Sequence, residues 1–198
     1  MSAIATPLVE APGAWRLPDR GKVGMACLIG AESAIFTIFV VAYLFYVGKS
    51  LGGPTPHDVL ETPIFYTICL LSSSLTIHLA AKLLARGQRG GFLGLWMLTF
   101  VLGGLFLYGT GQEWHRLIYD HGLTISTNLF GTTYYSLVGL HASHVIAGLI
   151  MMGIVLAFAV AGRVGRPHSA RVEVLGLYWH FVDAVWVVVF TVVYVIGR

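Results

Sequence analysis

Long runs of apolar residues, separated by short polar stretches, dominate the chain. Five of these runs reach the length that a helix needs to cross a membrane, which is about 20 residues for roughly 30 Å of hydrocarbon. The runs lack the period-two alternation of barrel strands, so helices with internally paired backbone amides are favoured. The predicted spans are 23–47, 63–84, 92–111, 132–161 and 174–196.

The composition agrees with an integral membrane protein. Hydrophobic residues make up 57% of the 198 residues and charged residues 11%, against roughly 25% charged residues in ordinary soluble domains. Long spans joined by short connections leave no length for a separate soluble domain. The sequence therefore predicts an all-α, polytopic helical bundle in which residues 1–198 form a single membrane domain.

Basic residues are distributed unequally between the two ends of the predicted spans. Nine lie before the first span, between the second and third, or between the fourth and fifth, whereas only Lys49, Arg116 and Arg198 lie on the other side. Because Lys and Arg are retained in the cytoplasm, the N-terminus is predicted inside and the C-terminus outside. Residues 1–21 lack the apolar core of a signal peptide and are expected to form a cytoplasmic tail. The net charge of +3 reflects this topology and does not indicate nucleic-acid binding.

Ionisable residues inside the predicted spans are the main chemical signal, because such groups are costly at bilayer depth and mark functional sites. With a rise of about 1.5 Å per residue, Glu32 and Asp183 lie roughly 14 Å into the first and fifth spans. Measured from the outer end of the fourth span, His141 lies roughly 14 Å deep and His144 roughly 18 Å deep. His180 is somewhat closer to the cytoplasm. These depths predict one polar layer near the midplane.

Residue spacing indicates how this layer is organised. His141 and His144 are three residues apart, as are His180 and Asp183, so each pair lies on one face of its helix. Two such faces turned toward each other would pair imidazoles with a carboxylate. We also hypothesise that Glu32 shares a proton with His141 or His144, without forming a continuous proton pathway.

The chemistry of these residues leaves several interpretations open. They can join helices through hydrogen bonds, which contribute on average only about 0.6 kcal/mol each. Histidines on two helices can ligate a b-type haem, and Glu32 with Asp183 can relay protons or bind a cation in a transporter. Glu113, at the outer end of the third span, is a weaker candidate, because solvation at the membrane surface explains it. Cys27 and Cys69 fit neither a zinc site nor a disulfide framework.

Several segments of the chain resemble subunit III of haem-copper oxidases, above all that of the cytochrome c oxidase type. They match this family in order and spacing across nearly the whole chain, so the chain is identified as a member of it. The segments are KVGMACLIGAES (22–33), GQEW (111–114), NLFGTTYYSLVGLHASHVIAG (128–148) and LYWHFVDAVWVVVFTVVYVIG (177–197).

The resemblance implies a non-catalytic subunit of a respiratory oxidoreductase that reduces O₂ to water and pumps protons. In this family, subunit III has no catalytic residue, cofactor-binding residue or metal of its own; haem and copper lie in partner subunits. It packs against subunit I, with subunit II and small subunits in the same complex. It binds structural phospholipids and supports proton uptake and the lifetime of the catalytic subunit. The implied location is the bacterial plasma membrane.

Single residues can be compared with the family in the same way. The intramembrane carboxylate of the family, in a motif similar to GAES (30–33), corresponds to Glu32 and implies an indirect, proton-linked role. His141, His144 and His180 are then expected to be structural hydrogen-bonding groups, which disfavours haem ligation.

The chain also departs from the longest family members, which have seven spans. It begins at what resembles their third span, so either it is the short five-helix bacterial form, with lipids held against neighbouring chains, or the missing helices belong to another subunit. One wall of the lipid cleft of the long form is then missing, so its lipid sites are not carried over. The YWHFVDAVW run (178–186) is most similar to the branch that uses cytochrome c as electron donor. Subunits of quinol oxidases and of nitric oxide reductases are the alternatives.

Overall fold

The computed structural model describes residues 19–197, and over that range the chain is helical and contains no strand. A 3₁₀ turn (Arg166–His168) precedes the last α-helix, and a π-helical segment (Thr191–Ile196) extends it. Five helices are long and apolar enough to cross a membrane, which confirms the predicted all-α bundle. The α-helices are α1 (Arg20–Tyr46), α2 (Pro56–Val59), α3 (Ile64–Ala85), α4 (Arg89–Tyr119), α5 (Leu129–Val160) and α6 (Ser169–Phe190).

Several helices are longer than the predicted apolar spans, and polar side chains cap two of them. Asp19 caps α1 by accepting a hydrogen bond from the backbone N–H of Gly21 at 2.8 Å, so residues 20 and 21 belong to the helix and not to the predicted tail. The rest of that tail, 1–18, lies outside the described residues. Asn128 caps α5 by accepting from Gly131 N–H at 2.8 Å. Helix α4 continues for eight residues beyond the predicted end at 111, with Leu117 fully buried in its last turns.

The five long helices form two layers. Helices α1, α6 and α3 lie side by side, with α6 in the middle, and α5 and α4 pack behind them. Helix α6 contacts α1, α3 and α5, and the span that contains it is the most buried of the five. The face of the α1–α6–α3 layer that points away from α4 and α5 has no covering element among the described residues.

Contacts at the two ends show that consecutive long helices alternate in direction. At one end, Lys22 of α1 forms an ion pair with Glu173 of α6, with 2.9 Å between Nζ and Oε1. At the other end, the Ser50 hydroxyl accepts a hydrogen bond from the backbone N–H of Phe130 at 3.1 Å. Eight of the nine basic residues that the sequence groups on one side are described, and they lie at the end marked by Lys22. They are Arg20, Lys22, Lys82, Arg86, Arg89, Arg163, Arg166 and Arg171.

The indole of Trp179 on α6 joins four helices at the centre of the bundle. It is fully buried, and its Nε1 donates to the Ser73 hydroxyl of α3 at 2.7 Å. Its six-membered ring lies against Gly103 of α4 and Gly148 of α5, where an added Cβ would come within 2.9 Å and 2.6 Å of ring atoms. Small residues at these positions therefore allow the close helix packing that membrane bundles use.

Substitutions at two adjacent glycines of α4 test this packing. We expect Gly103→Ala to lower the free energy of unfolding by about 1–3 kcal/mol, because the new methyl group overlaps the Trp179 ring. Gly104→Ala is the matched control, since nothing lies within 4 Å of the added methyl. The measurement is denaturant unfolding in detergent micelles. Equal losses in the two variants would contradict the assignment of Trp179 as the central contact.

Candidate functional site

Glu32 of α1 and His144 of α5 form a pair halfway along their helices. Nε2 of His144 lies 3.1 Å from Oε2 of Glu32, and Nδ1 lies 2.8 Å from the carbonyl oxygen of Leu140. Because a carbonyl can only accept, Nδ1 carries a proton, and the contact with Glu32 needs a second proton, held by Nε2 or by the carboxyl group. Both arrangements leave the pair without net charge, which suits a site of low dielectric.

The Glu32–His144 pair lies close to the side of the bundle and is not at its centre. The two side chains are 22% and 15% exposed, and they line a groove of about 380 Å³ between α1 and α5. The ring of Phe36 packs against the His144 imidazole, with 5.0 Å between ring centroids. Tyr178 of α6 donates to the carbonyl oxygen of His144 at 3.0 Å and holds that part of α5 in place. The pair is therefore fixed in position and partly open to the surroundings.

His141 does not join Glu32, although it is three residues from His144. Its imidazole is fully buried and stacks on the Trp186 indole, with 5.0 Å between centroids and an interplanar angle of 30°. Phe106 contacts the same imidazole edge to face at 5.7 Å. Neither ring nitrogen has a hydrogen-bond partner among residues 19–197. His141 thus sits in an aromatic cage and makes no contact with a carboxylate.

His180 and Asp183 of α6 meet a serine of α3. The Ser74 hydroxyl donates a short hydrogen bond to Oδ2 of Asp183, and Ser74 Oγ lies 2.9 Å from Nδ1 of His180. Since the hydroxyl has one proton and gives it to Asp183, Nδ1 of His180 donates to Ser74. The other carboxyl oxygen of Asp183 is buried without a partner in the described part of the chain.

The structure therefore divides the polar layer that the sequence predicts. The His180–Asp183 face of α6 turns toward α3 and not toward the His141–His144 face of α5. The reason is the rotation of α6 about its axis: Tyr178 and Trp179 occupy the side that faces α5. His180 and Asp183, which follow Trp179 by one and four positions, then point toward α3.

Glu113 of α4 lies in a buried polar cluster, contrary to the expectation of a solvated surface group. Its Oε2 accepts a hydrogen bond from the Tyr194 hydroxyl at 2.8 Å, and its Oε1 is buried without a partner among the described residues. The hydroxyls of Tyr194 and Tyr134 are 3.5 Å apart. Tyr194 belongs to the π-helical segment, a geometry that is frequent at functional sites. The position of Glu113 at the outer end of the third predicted span did not reveal this burial.

The residues of these clusters that were not singled out from the sequence include Ser74, His78 and Tyr194. The run Ser72-Ser73-Ser74 inside an apolar span was an available signal, because hydroxyls at that depth bond to neighbouring helices. His78 lies beside His180, with 6.2 Å between ring centroids. Among residues 19–197, no three His, Cys, Asp or Glu side chains are grouped closely enough to hold a metal ion.

Ser74 offers a test of the α3–α6 contact. We expect Ser74→Ala to lower the free energy of unfolding by about 1–3 kcal/mol, because it leaves Asp183 without its hydrogen bond. Ser72→Ala is the control, since that hydroxyl bonds only to the carbonyl oxygen of Cys69 in its own helix. Denaturant unfolding in micelles measures both. If Ser74→Ala is no more destabilising than Ser72→Ala, the contact contributes nothing to the fold.

Comparison with known proteins identifies the family. Residues 20–198 match the family Cytochrome c oxidase subunit III. The chain is 35% identical over 178 residues to cytochrome c oxidase subunit 3 of Alkalihalophilus pseudofirmus, which covers 88% of this chain and 86% of that protein. It is 35% identical over 191 residues to cytochrome c oxidase subunit 3 of Synechocystis, covering 94% and 80%.

A further relative is named for a different electron donor. The chain is 34% identical over 168 residues to cytochrome bo(3) ubiquinol oxidase subunit 3 of Pseudomonas aeruginosa, covering 84% of this chain and 80% of that protein. The resemblance seen in the sequence motifs is thus confirmed across the chain: it belongs to the cytochrome c oxidase subunit III family of haem-copper oxidases.

Proposed function

We propose that this chain is the accessory subunit III of a respiratory haem-copper oxidase in the bacterial plasma membrane. The observation that carries the proposal is the family match over residues 20–198. The chain stabilises subunit I, contacts subunit II within the complex, binds phospholipids and supports proton uptake. O₂ reduction takes place in the partner subunits, which hold the haem and copper.

The contacts of the intramembrane polar residues support an accessory role. Glu32 pairs with His144, while His180 and Asp183 share Ser74. His141 is enclosed by aromatic rings. The first two contacts join helices within the bundle, and the aromatic rings around His141 fill the space beside its imidazole. We therefore assign no catalytic, cofactor-binding or metal-ligating residue to this chain.

The Glu32–His144 pair is the proposed proton-linked element. A single proton between Nε2 and Oε2 can move without changing the net charge of the pair, so its movement needs no second ion in the membrane. The partly exposed groove beside the pair gives access from one side of the bundle. We assign to this pair a buffering role next to the catalytic subunit and not a continuous pathway.

The orientation follows from the charge at the two ends. The end of the bundle that contains Lys22, Arg86 and Arg166 is placed in the cytoplasm, because basic residues are retained there. The N-terminus is then inside and the C-terminus outside. The groove at Glu32 lies near the middle of the bilayer.

Cytochrome c is the proposed electron donor of the complex, and ubiquinol is the second candidate. The relatives in Alkalihalophilus and Synechocystis are named as cytochrome c oxidase subunits, whereas the Pseudomonas relative is named as a ubiquinol oxidase subunit. The donor binds to other subunits, so the purified complex decides the question. Oxidation of reduced cytochrome c, with no oxidation of ubiquinol, is the expected result.

Absorbance of the purified polypeptide tests the accessory role. We expect the chain expressed alone to be colourless in detergent, and the chain purified from its native membrane to be accompanied by a haem-containing polypeptide. Visible spectra and subunit analysis of both preparations are the measurements. Stoichiometric haem b in the isolated chain, lost on His141→Ala, would overturn the proposal in favour of a membrane haem protein.

A carbodiimide reaction tests the Glu32–His144 pair. We expect a hydrophobic carbodiimide to modify Glu32 in the intact complex. The reaction should be several-fold faster in His144→Leu, because the imidazole no longer forms a hydrogen bond with the carboxyl group. Peptide mass spectrometry measures the rate at Glu32. Ser143→Ala is the control, since the Ser143 hydroxyl bonds to the carbonyl of Leu140 and not to Glu32. Absence of any Glu32 adduct in either variant counts against a proton shared by this pair.

A further inference from the structure

His78 of α3 is exposed on the side of the bundle at a depth where the membrane lies. It is seven residues from the end of α3 at Ala85, which corresponds to roughly 10 Å. Its imidazole lies next to that of His180, but neither of its nitrogens makes a hydrogen bond among the described residues. Lys82, one turn closer to the basic end, has a long side chain that can reach the membrane surface. The shorter side chain of His78 cannot.

His180 presents a second polar atom on the same surface. Its Nδ1 is used in the contact with Ser74, so in the neutral ring Nε2 is a hydrogen-bond acceptor. The side chain is only partly buried, and Nε2 has no hydrogen bond within residues 19–197. Ser74, His78 and His180 thus form one polar patch, which we call the α3–α6 patch. Exposed leucines surround it, including Leu75, which is 62% exposed.

Hydrocarbon chains of lipids cannot satisfy this patch. Lipid tails offer neither donors nor acceptors, and ionisable residues inside membranes face other protein segments or water-filled cavities. The other polar site on the side of the bundle differs in this respect, because Glu32 and His144 satisfy each other. The α3–α6 patch is therefore a part of the described surface with polar atoms that need a partner from outside the chain.

We propose that the α3–α6 patch is covered by a transmembrane helix of another subunit of the oxidase complex. That helix supplies a hydrogen-bond donor, a hydroxyl, amide or indole group, to Nε2 of His180, and a polar contact to His78. The proposal rests on the proposed function, since it takes the chain to be one subunit of a membrane complex. It adds which face is in contact and what chemistry the partner carries.

Photo-crosslinking in the intact complex tests the assignment. His78 is replaced by benzoylphenylalanine, and Val101 of α4 is replaced in the same way as the matched control. Val101 is 47% exposed, lies twelve residues from the start of α4 and belongs to the other layer of the bundle. After irradiation of native membranes, we expect at least a tenfold higher yield of an adduct with another subunit from position 78 than from position 101.

The other outcomes overturn the proposal. Adducts from position 78 with lipid only, adducts with a second copy of this chain, or yields no higher than from position 101 would each show that no foreign helix covers the patch. Failure of the proposed function gives a different result, because the chain would then not co-purify with a haem-containing polypeptide at all. The crosslinking yields are therefore interpreted in preparations where that polypeptide is present.

A pair of substitutions at the same position provides a readout of the hydrogen bond. We expect His78→Leu to reduce the retention of this chain on the complex during detergent washing by about threefold, the size expected for one interhelical hydrogen bond. His78→Gln, which keeps a donor and an acceptor, should restore retention. Equal retention of the two variants would show that the polar contact at His78 is not made.

Discussion

The burial of one indole, that of Trp179, determines how the helices of this bundle meet. Its ring needs the space that Gly103 and Gly148 leave on two neighbouring helices, and its N–H needs the Ser73 hydroxyl on a third. These requirements leave α6 little freedom to rotate about its axis. The direction of the other α6 side chains follows from that rotation.

The second constraint is that lipid provides no hydrogen bonds, and several polar side chains find partners within the bundle. Glu32 meets His144, Ser74 bridges His180 and Asp183, and other clusters such as that of Glu113 and Tyr194 follow the same rule. Each cluster joins two helices that are already brought together by packing against α6 or by the arrangement of the helices in two layers. The polar residues thus reinforce packing that the apolar core establishes, and this suits a subunit whose proposed task is to support a catalytic neighbour.

Part of the candidate site could be derived from the sequence, and part could not. Helix length and depth placed Glu32 and His144 at compatible levels, and the structure joins them. The same reasoning put His141 with a carboxylate, but the aromatic rings of Phe106 and Trp186 enclose it. Glu113 looked solvated because it ends an apolar run, yet the π-helical end of α6 brings Tyr194 onto it.

The sequence by itself determined the number of long helices, their approximate limits, the side on which basic residues gather and the family. These are properties of single segments, since hydropathy and length are read along one helix at a time. Only the tertiary structure decided which helix faces which, and hence that His180 and Asp183 turn to Ser74 and that His78 remains open at the side. The physical reason is that the rotation of a helix is set by side chains of its neighbours, here by the fit of Trp179 between two glycines.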